Sequence, residues 1–173
     1  MSEFTDMYYF GIITVSTSRF YSEKAVDESG LLASAIIRNS GYKVCCRSLV
    51  PDDKLAITGS LTSMLFNFKP DVILLIGGTG PSKTDFTDEI VSKLSEKLLF
   101  GVSEEFRRRS YQKIGPRGLL GNMSVGLIND SVIVSLPGSP DAVEEGLKVF
   151  MEILPHIMEV RRGKTHDKGN NVG

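Results

Sequence analysis

Apolar residues arrive along this chain in short dense runs, with longer stretches of helical spacing between them. The first run, Tyr8 to Val15 (YYFGIITV), is rich in aromatic and β-branched residues and predicts a buried strand. Leu31 to Asn39 predicts a helix ended by Gly41, and Tyr42 to Val50 (YKVCCRSLV) a second strand closed by Pro51. A helix is expected from Asp52 to Pro70, because Ile57, Leu61, Met64, Leu65 and Phe68 fall on one face. Val72 to Ile76 (VILLI) is apolar throughout, the pattern of a strand covered on both faces, and runs straight into Gly77-Gly78-Thr79-Gly80.

Helices are predicted next over Thr87 to Leu99 and Ser103 to Lys113. Met123 to Ile128 and Ser131 to Leu136 are separated only by Asn129-Asp130, which predicts an antiparallel hairpin. A final helix is expected over Asp141 to Glu159, kinked or broken at Pro155, before a polar tail. The alternation predicts a three-layer α/β/α sandwich with a mainly parallel sheet and one antiparallel edge strand. Residues 1–163 are expected to form one domain and 164–173 a flexible tail.

Composition narrows the classes. The chain has 173 residues, enough to bury roughly 70% of its unfolded surface. Its 20 Lys and Arg against 21 Asp and Glu argue against sequence-blind nucleic-acid binding, which needs a basic surface. No apolar run is long enough to span a membrane, and the first residues lack the basic-then-apolar pattern of a signal peptide, so a cytoplasmic protein is expected. The only cysteines, Cys45 and Cys46, are neighbours on a predicted strand. Their side chains are expected on opposite faces, unable to form an ordinary disulfide or grip one metal.

In open parallel sheets, ligands bind beyond the carboxyl ends of the strands. Those ends here carry Ser16 to Arg19, Pro51 to Asp53, Gly77 to Asp85 and Leu136 to Pro140, so small, polar and acidic residues converge on one rim. The glycines of Gly77 to Asp85 (GGTGPSKTD) let backbone N–H groups approach an anion. Gly77 with Ser82-Lys83-Thr84 approaches a P-loop, but a serine stands where the second glycine belongs and the loop follows the third strand, which argues against one. Asp52 and Asp85 are separated oxygen ligands of the kind Mg²⁺ takes, although Asp52 reads equally as a helix N-cap. Asp53 is the neighbouring candidate, and Asp88 reads as a first-turn helix charge. Arg107, Arg108 and Arg109 follow Glu104 and Glu105 on one helix, the pattern of a solvated or subunit-contact face. His156 and His166 are too isolated for a metal site or a catalytic dyad.

Six segments in order carry a resemblance: VSTSR (Val15 to Arg19), DESG (Asp27 to Gly30), LVPDD (Leu49 to Asp53), GGTGPSKTDFTDE (Gly77 to Glu89), EEFRRRSYQKIG (Glu104 to Gly115) and LPGSPDAV (Leu136 to Val143). Together they resemble the MoaB/Mog family of molybdenum cofactor biosynthesis proteins, over roughly Tyr8 to Pro155. The resemblance implies a molybdopterin adenylyltransferase, in which the terminal phosphate of molybdopterin attacks the α-phosphate of ATP. It places essential, Mg²⁺-binding aspartates at Asp52 and Asp85. It further implies a pocket of Ser16, Gly77, Gly78, Thr79, Gly80, Ser82, Lys83, Gly138, Ser139 and Pro140. A homotrimer or hexamer (a dimer of trimers) and a metal-insertion protein as partner are also implied, with no nucleic acid or membrane. The chain departs from the family at Gly121-Asn122, where many relatives carry Ser-Arg, at Thr84 and at Thr17. The first of these favours the alternative, a non-catalytic molybdopterin-binding or scaffold protein of the same fold.

Overall fold

The strand Val72–Ile76 (β3) lies at the centre of the sheet with all five residues buried, as its unbroken apolar pattern predicts. A computed structural model describes residues 7–163; the predicted tail from Lys164, with His166, lies outside the described residues. Tyr9–Val15 (β1), Lys43–Val50 (β2), β3 and Ser131–Leu136 (β6) run parallel, while Ser124–Ile128 (β5) pairs antiparallel with β6. The sheet order is β2-β1-β3-β6-β5-β4, with the two residues Lys97–Leu98 (β4) closing one edge.

Alternation along the strands sorts side chains into two cores. Phe10, Ile12, Leu74, Val134 and Leu136 face the helices Glu28–Asn39 (α2), Phe100–Ile114 (α5) and Pro140–Arg161 (α6), through Ile37, Phe106 and Phe150. Ile13, Val15, Ile73, Leu75 and Ile133 face Lys54–Asn67 (α3) and Thr87–Leu94 (α4), through Ile57, Leu61, Met64, Ile90 and Val91. This is the predicted α/β/α sandwich with its mainly parallel sheet and antiparallel hairpin. A single turn, Thr17–Phe20 (α1), completes the helices of the described residues.

Several boundaries differ from the pattern reading. The helix expected over Thr87 to Leu99 ends at Leu94, because Ser95 turns extended and Lys97 and Leu98 pair with Leu127 and Gly126. The next helix therefore starts at Phe100 rather than Ser103. The first long helix begins at Glu28 instead of Leu31: the Asp27 carboxylate accepts from the Gly30 amide (3.0 Å) and caps it. The last helix runs on through Pro155 to Arg161, without the expected break.

The expected placement of the two cysteine side chains on opposite faces fails for a local reason, while both remain free thiols. Pairing steps from Phe10↔Val44 to Gly11↔Cys46, so Cys45 is an extra residue in a β-bulge. The bulge suspends the alternation, and the two Sγ atoms lie 3.5 Å apart rather than on opposite faces.

Phe106 is 1% exposed beneath α6, where even a Cβ on Gly146 would reach its ring and the Leu136 side chain. Phe106→Ala should cost about 3–5 kcal/mol. Calorimetry should then show a fall in Tm of about 6–20 °C, at about 2–4 °C per kcal/mol. On the surface, hydrogen bonds from Arg108 and Arg109 hold Glu105 down to about 2, and Arg109 also pairs with Glu152 of α6. A depressed carboxyl stabilises above its ordinary range near 4.5 and loses that contribution as pH falls towards 2. Melting curves of the parent and Glu105→Gln should therefore converge between those two values.

Candidate active site at the carboxyl rim of the sheet

The parallel register brings the ends of β1, β3 and β6 side by side, and glycines let them close. Gly77 has φ +107°, and a Cβ there would stand 2.3 Å from the Val15 carbonyl oxygen. Gly78, at φ +66°, lies over the buried Thr87 hydroxyl, which has no hydrogen-bond partner among the described residues. Gly138 packs against the Gly77 Cα, and its carbonyl accepts from the Ser29 hydroxyl of α2 at 2.7 Å. Asp27, the N-cap residue of α2 two positions before Ser29, accepts from Thr14 Oγ1 and from Arg47 at 2.8 Å each, tying α2 to β1 and β2.

A cavity of about 480 Å³ opens on this rim. Of the residues expected there, Ser16, Asp52, Gly77, Gly78, Thr79, Gly80, Asp85 and Gly138 line it together. Ser82, Lys83, Ser139 and Pro140 are not in its wall. Ser82 is exposed and donates its amide to Asp85. Lys83 is exposed beside it. Ser139 caps α6 by accepting from the Ala142 amide, and Pro140 is the first residue of that helix. Arg19, Leu120 and Gly121 join the wall although they are absent from the expected set. The signal for Arg19 was its place in the loop after β1; Leu120 and Gly121 arrive from a distant 3₁₀ turn that no local pattern ties to the rim.

The two aspartates share one arrangement. Asp52 Oδ2 accepts from both the amide (2.7 Å) and the hydroxyl (2.8 Å) of Thr17, and the Asp52 amide donates back to that hydroxyl at 2.9 Å. Asp85 Oδ2 accepts from the Ser82 amide at 2.9 Å. Each carboxylate is thus anchored through one oxygen, and its Oδ1 takes no hydrogen bond among the described residues. The N-cap reading of Asp52 does not hold, because Asp53 performs that role through the Ala56 amide at 2.9 Å. A side chain at Gly80 would stand 2.9 Å from Asp85 Oδ2, so this glycine admits the carboxylate to the pocket.

The remaining candidates fall elsewhere. The loop from Gly77 reaches α4 only at Thr87, with Phe86 at the N-cap position, so Ser82-Lys83-Thr84 stand before the helix and not in its first turn as a P-loop requires. Asp88 is in the first turn of α4 and accepts from Ser135 Oγ at 2.5 Å. Arg107 of α5 donates to Asn122 Oδ1 at 2.7 Å, beside Gly121 of the pocket wall, while Arg108 and Arg109 pair with Glu105. A separate, apolar-walled cavity of about 510 Å³ lies between α5, α6 and the β4–β5 edge, but it gathers no carboxylate and no glycine loop.

Donor chemistry bears on which metal the rim suits. Among the described residues, no group of three or more His, Cys, Asp or Glu side chains could hold an ion. Two carboxylates with free oxygens fit Mg²⁺, which keeps several waters and takes phosphate oxygens as further ligands, and do not fit a zinc site.

Comparison with known proteins agrees with this fold. A molybdenum cofactor biosynthesis protein B of Bacillus cereus is 36% identical over 148 residues, 84% of this chain and 86% of the relative. A molybdopterin adenylyltransferase of Pyrococcus furiosus is 35% identical over 158 residues, 88% and 90% of the two chains. The crystal structure of a tungsten cofactor synthesizing protein, MoaB, from Pyrococcus furiosus superposes with a TM-score of 0.80 at 32% identity, covering 90% of this chain and 98% of that one. Residues 11–156, spanning every loop of the rim, match the family described as probable molybdopterin binding domain, and the chain belongs to that family.

Proposed function

We propose that the rim pocket transfers AMP from ATP to the terminal phosphate of molybdopterin in molybdenum cofactor biosynthesis, with Mg²⁺. One observation carries the reading: Asp52 and Asp85 face one cavity, each fixed through a single oxygen, beside a glycine loop whose amides are available. No acceptor among the described residues takes the N–H of Gly78, Thr79 or Gly80. The adenylyltransferase relative and the family match support the same chemistry.

The step is a displacement at phosphorus. A terminal phosphate oxygen of molybdopterin forms a bond to the α-phosphorus of ATP. The bond from that phosphorus to the oxygen bridging the β-phosphate breaks, and pyrophosphate leaves with the electron pair. Catalysis of this class is positioning plus charge stabilisation. The Gly78–Gly80 amides hold phosphate oxygens, and Arg19 supplies a cation in the wall. Thr17 keeps Asp52 from rotating. The Asp52 and Asp85 carboxylates would hold Mg²⁺, and the ion would supply positive charge beside the phosphates. Arg107, hydrogen-bonded to Asn122, provides a guanidinium near the position where many relatives carry an arginine. That contact weakens the case for the scaffold alternative.

The same reading includes a homotrimer or hexamer and a metal-insertion protein that receives adenylylated molybdopterin in the cytoplasm. Phe100, Tyr111 and Ile114 on α5 and Leu119 and Leu120 after it are exposed apolar side chains suited to subunit contact. No helix among the described residues is long and apolar enough to cross a membrane.

The test is an assay of molybdopterin and MgATP that follows adenylylated pterin and pyrophosphate together. The parent should form both, and Asp52→Asn and Asp85→Asn should each lose on the order of 10²-fold or more in kcat. A folded parent that binds molybdopterin yet releases no pyrophosphate would leave the scaffold alternative standing, and ADP as product would mark a kinase. Thr17→Val removes only the hydroxyl that anchors Asp52. It should raise the Mg²⁺ concentration for half-maximal rate by about 10–100-fold, and excess Mg²⁺ should restore most of the activity.

A further inference from the structure

The thiols of β2 take no part in the pocket, and their arrangement is built by the fold. β2 is an edge strand, and the bulge at Cys45 sets both sulfurs 3.5 Å apart. Cys45 is exposed and lies within a weak 3.4 Å hydrogen bond of the Phe10 carbonyl. Cys46 is half-buried over Gly11, where a Cβ would stand 3.2 Å from its sulfur and 3.0 Å from Met64 Sδ. Packing therefore fixes the inner thiol, and the absent side chain at Gly11 makes room for it. Burial first, then the neighbouring Cys45, push the Cys46 thiol up to about 12. It stays protonated at neutral pH, and its proton leaves with the group that a bonding centre releases.

Separation and stoichiometry narrow the ligand. A centre about 2.3 Å from each sulfur, the Zn–S length, would subtend an angle of about 99° at the observed 3.5 Å, since the half-separation over the bond length is the sine of half that angle. Among the described residues no third His, Cys, Asp or Glu completes a metal set. A tetrahedral ion would therefore lack two protein ligands, whereas a trivalent organoarsenical is complete with two sulfurs and its own carbon.

We propose that Cys45 and Cys46 form a second ligand site, a surface dithiol that chelates soft thiophilic centres of the trivalent arsenical class. With an arsenoxide, both S–H bonds and the arsenic–oxygen bond break and two arsenic–sulfur bonds form. The oxygen leaves as water with both protons, and arsenic stays trivalent, so no oxidant or reductant is needed. The site stands independently of the adenylyl-transfer reading.

Phenylarsine oxide and the full-length folded protein test it, by intact mass and thiol titration. One adduct per chain should consume both thiols, and an added dithiol should reverse it where a monothiol does not. Cys45→Ser and Cys46→Ser should each form no stable adduct. Adjacent cysteines bind arsenicals even in a flexible chain, so the decisive readout is preorganisation. The folded protein should bind at least tenfold tighter than the peptide KVCCRS, and the adduct should raise Tm, because a ligand that prefers the native state stabilises it. A persistent adduct in either single variant, affinity no better than the peptide's, or an unchanged or lowered Tm would overturn the proposal.

Discussion

The approach of Gly77 to the Val15 carbonyl is the constraint on which the rest of this molecule turns. With 2.3 Å between that oxygen and the place a Cβ would occupy, no side chain can stand between the ends of β1 and β3. Gly138 closes the same gap from the β6 side. Parallel register then aligns the three strand ends, and the loops that leave them open onto one cavity. A wider spacing would separate the Asp52 loop from the Asp85 loop and leave two isolated acids on a surface.

Around that contact, polar groups settle position while apolar groups supply the driving force. The centre of the sheet is featureless chemically: Val72–Ile76 is buried on both faces and contributes cohesion alone. Specificity of arrangement comes from a few hydrogen bonds. Thr14 and Arg47 converge on Asp27, Ser29 holds the Gly138 carbonyl, and Ser135 of β6 donates to Asp88 of α4. Buried polar groups of this kind are costly when unpaired, so they favour one packing over its near neighbours. Thr17 and Ser82 do the same in the pocket, each tying down one carboxylate oxygen and leaving the other without a hydrogen bond among the described residues.

The same sequence-to-structure logic explains where pattern reading failed. Asp52 and Asp53 are chemically identical and adjacent, so either could cap α3; only the backbone course after Pro51 gives the cap to Asp53 and turns Asp52 to Thr17. Cys45 and Cys46 obey alternation in an ideal strand, and the register step beside Gly11 cancels it. Lys97 and Leu98 read as helix from their neighbours, yet the free edge of β5 recruits them. Each failure is a short-range preference overruled by a partner distant in sequence.

What the sequence determined by itself is the layered architecture and the chemistry at the rim. Burial follows from the period of apolar residues, and glycines, prolines and acids at strand ends mark the loops whatever the tertiary details. The motif order carried the family assignment for the same reason, since it records loop chemistry in chain order. Tertiary structure alone decided which of those residues share a cavity, which oxygen of each aspartate stays free, and that Arg19, Leu120 and Gly121 join them while Ser139 and Pro140 serve α6. Those outcomes rest on distances between segments far apart in the chain, and such distances exist only once the sheet has set its register.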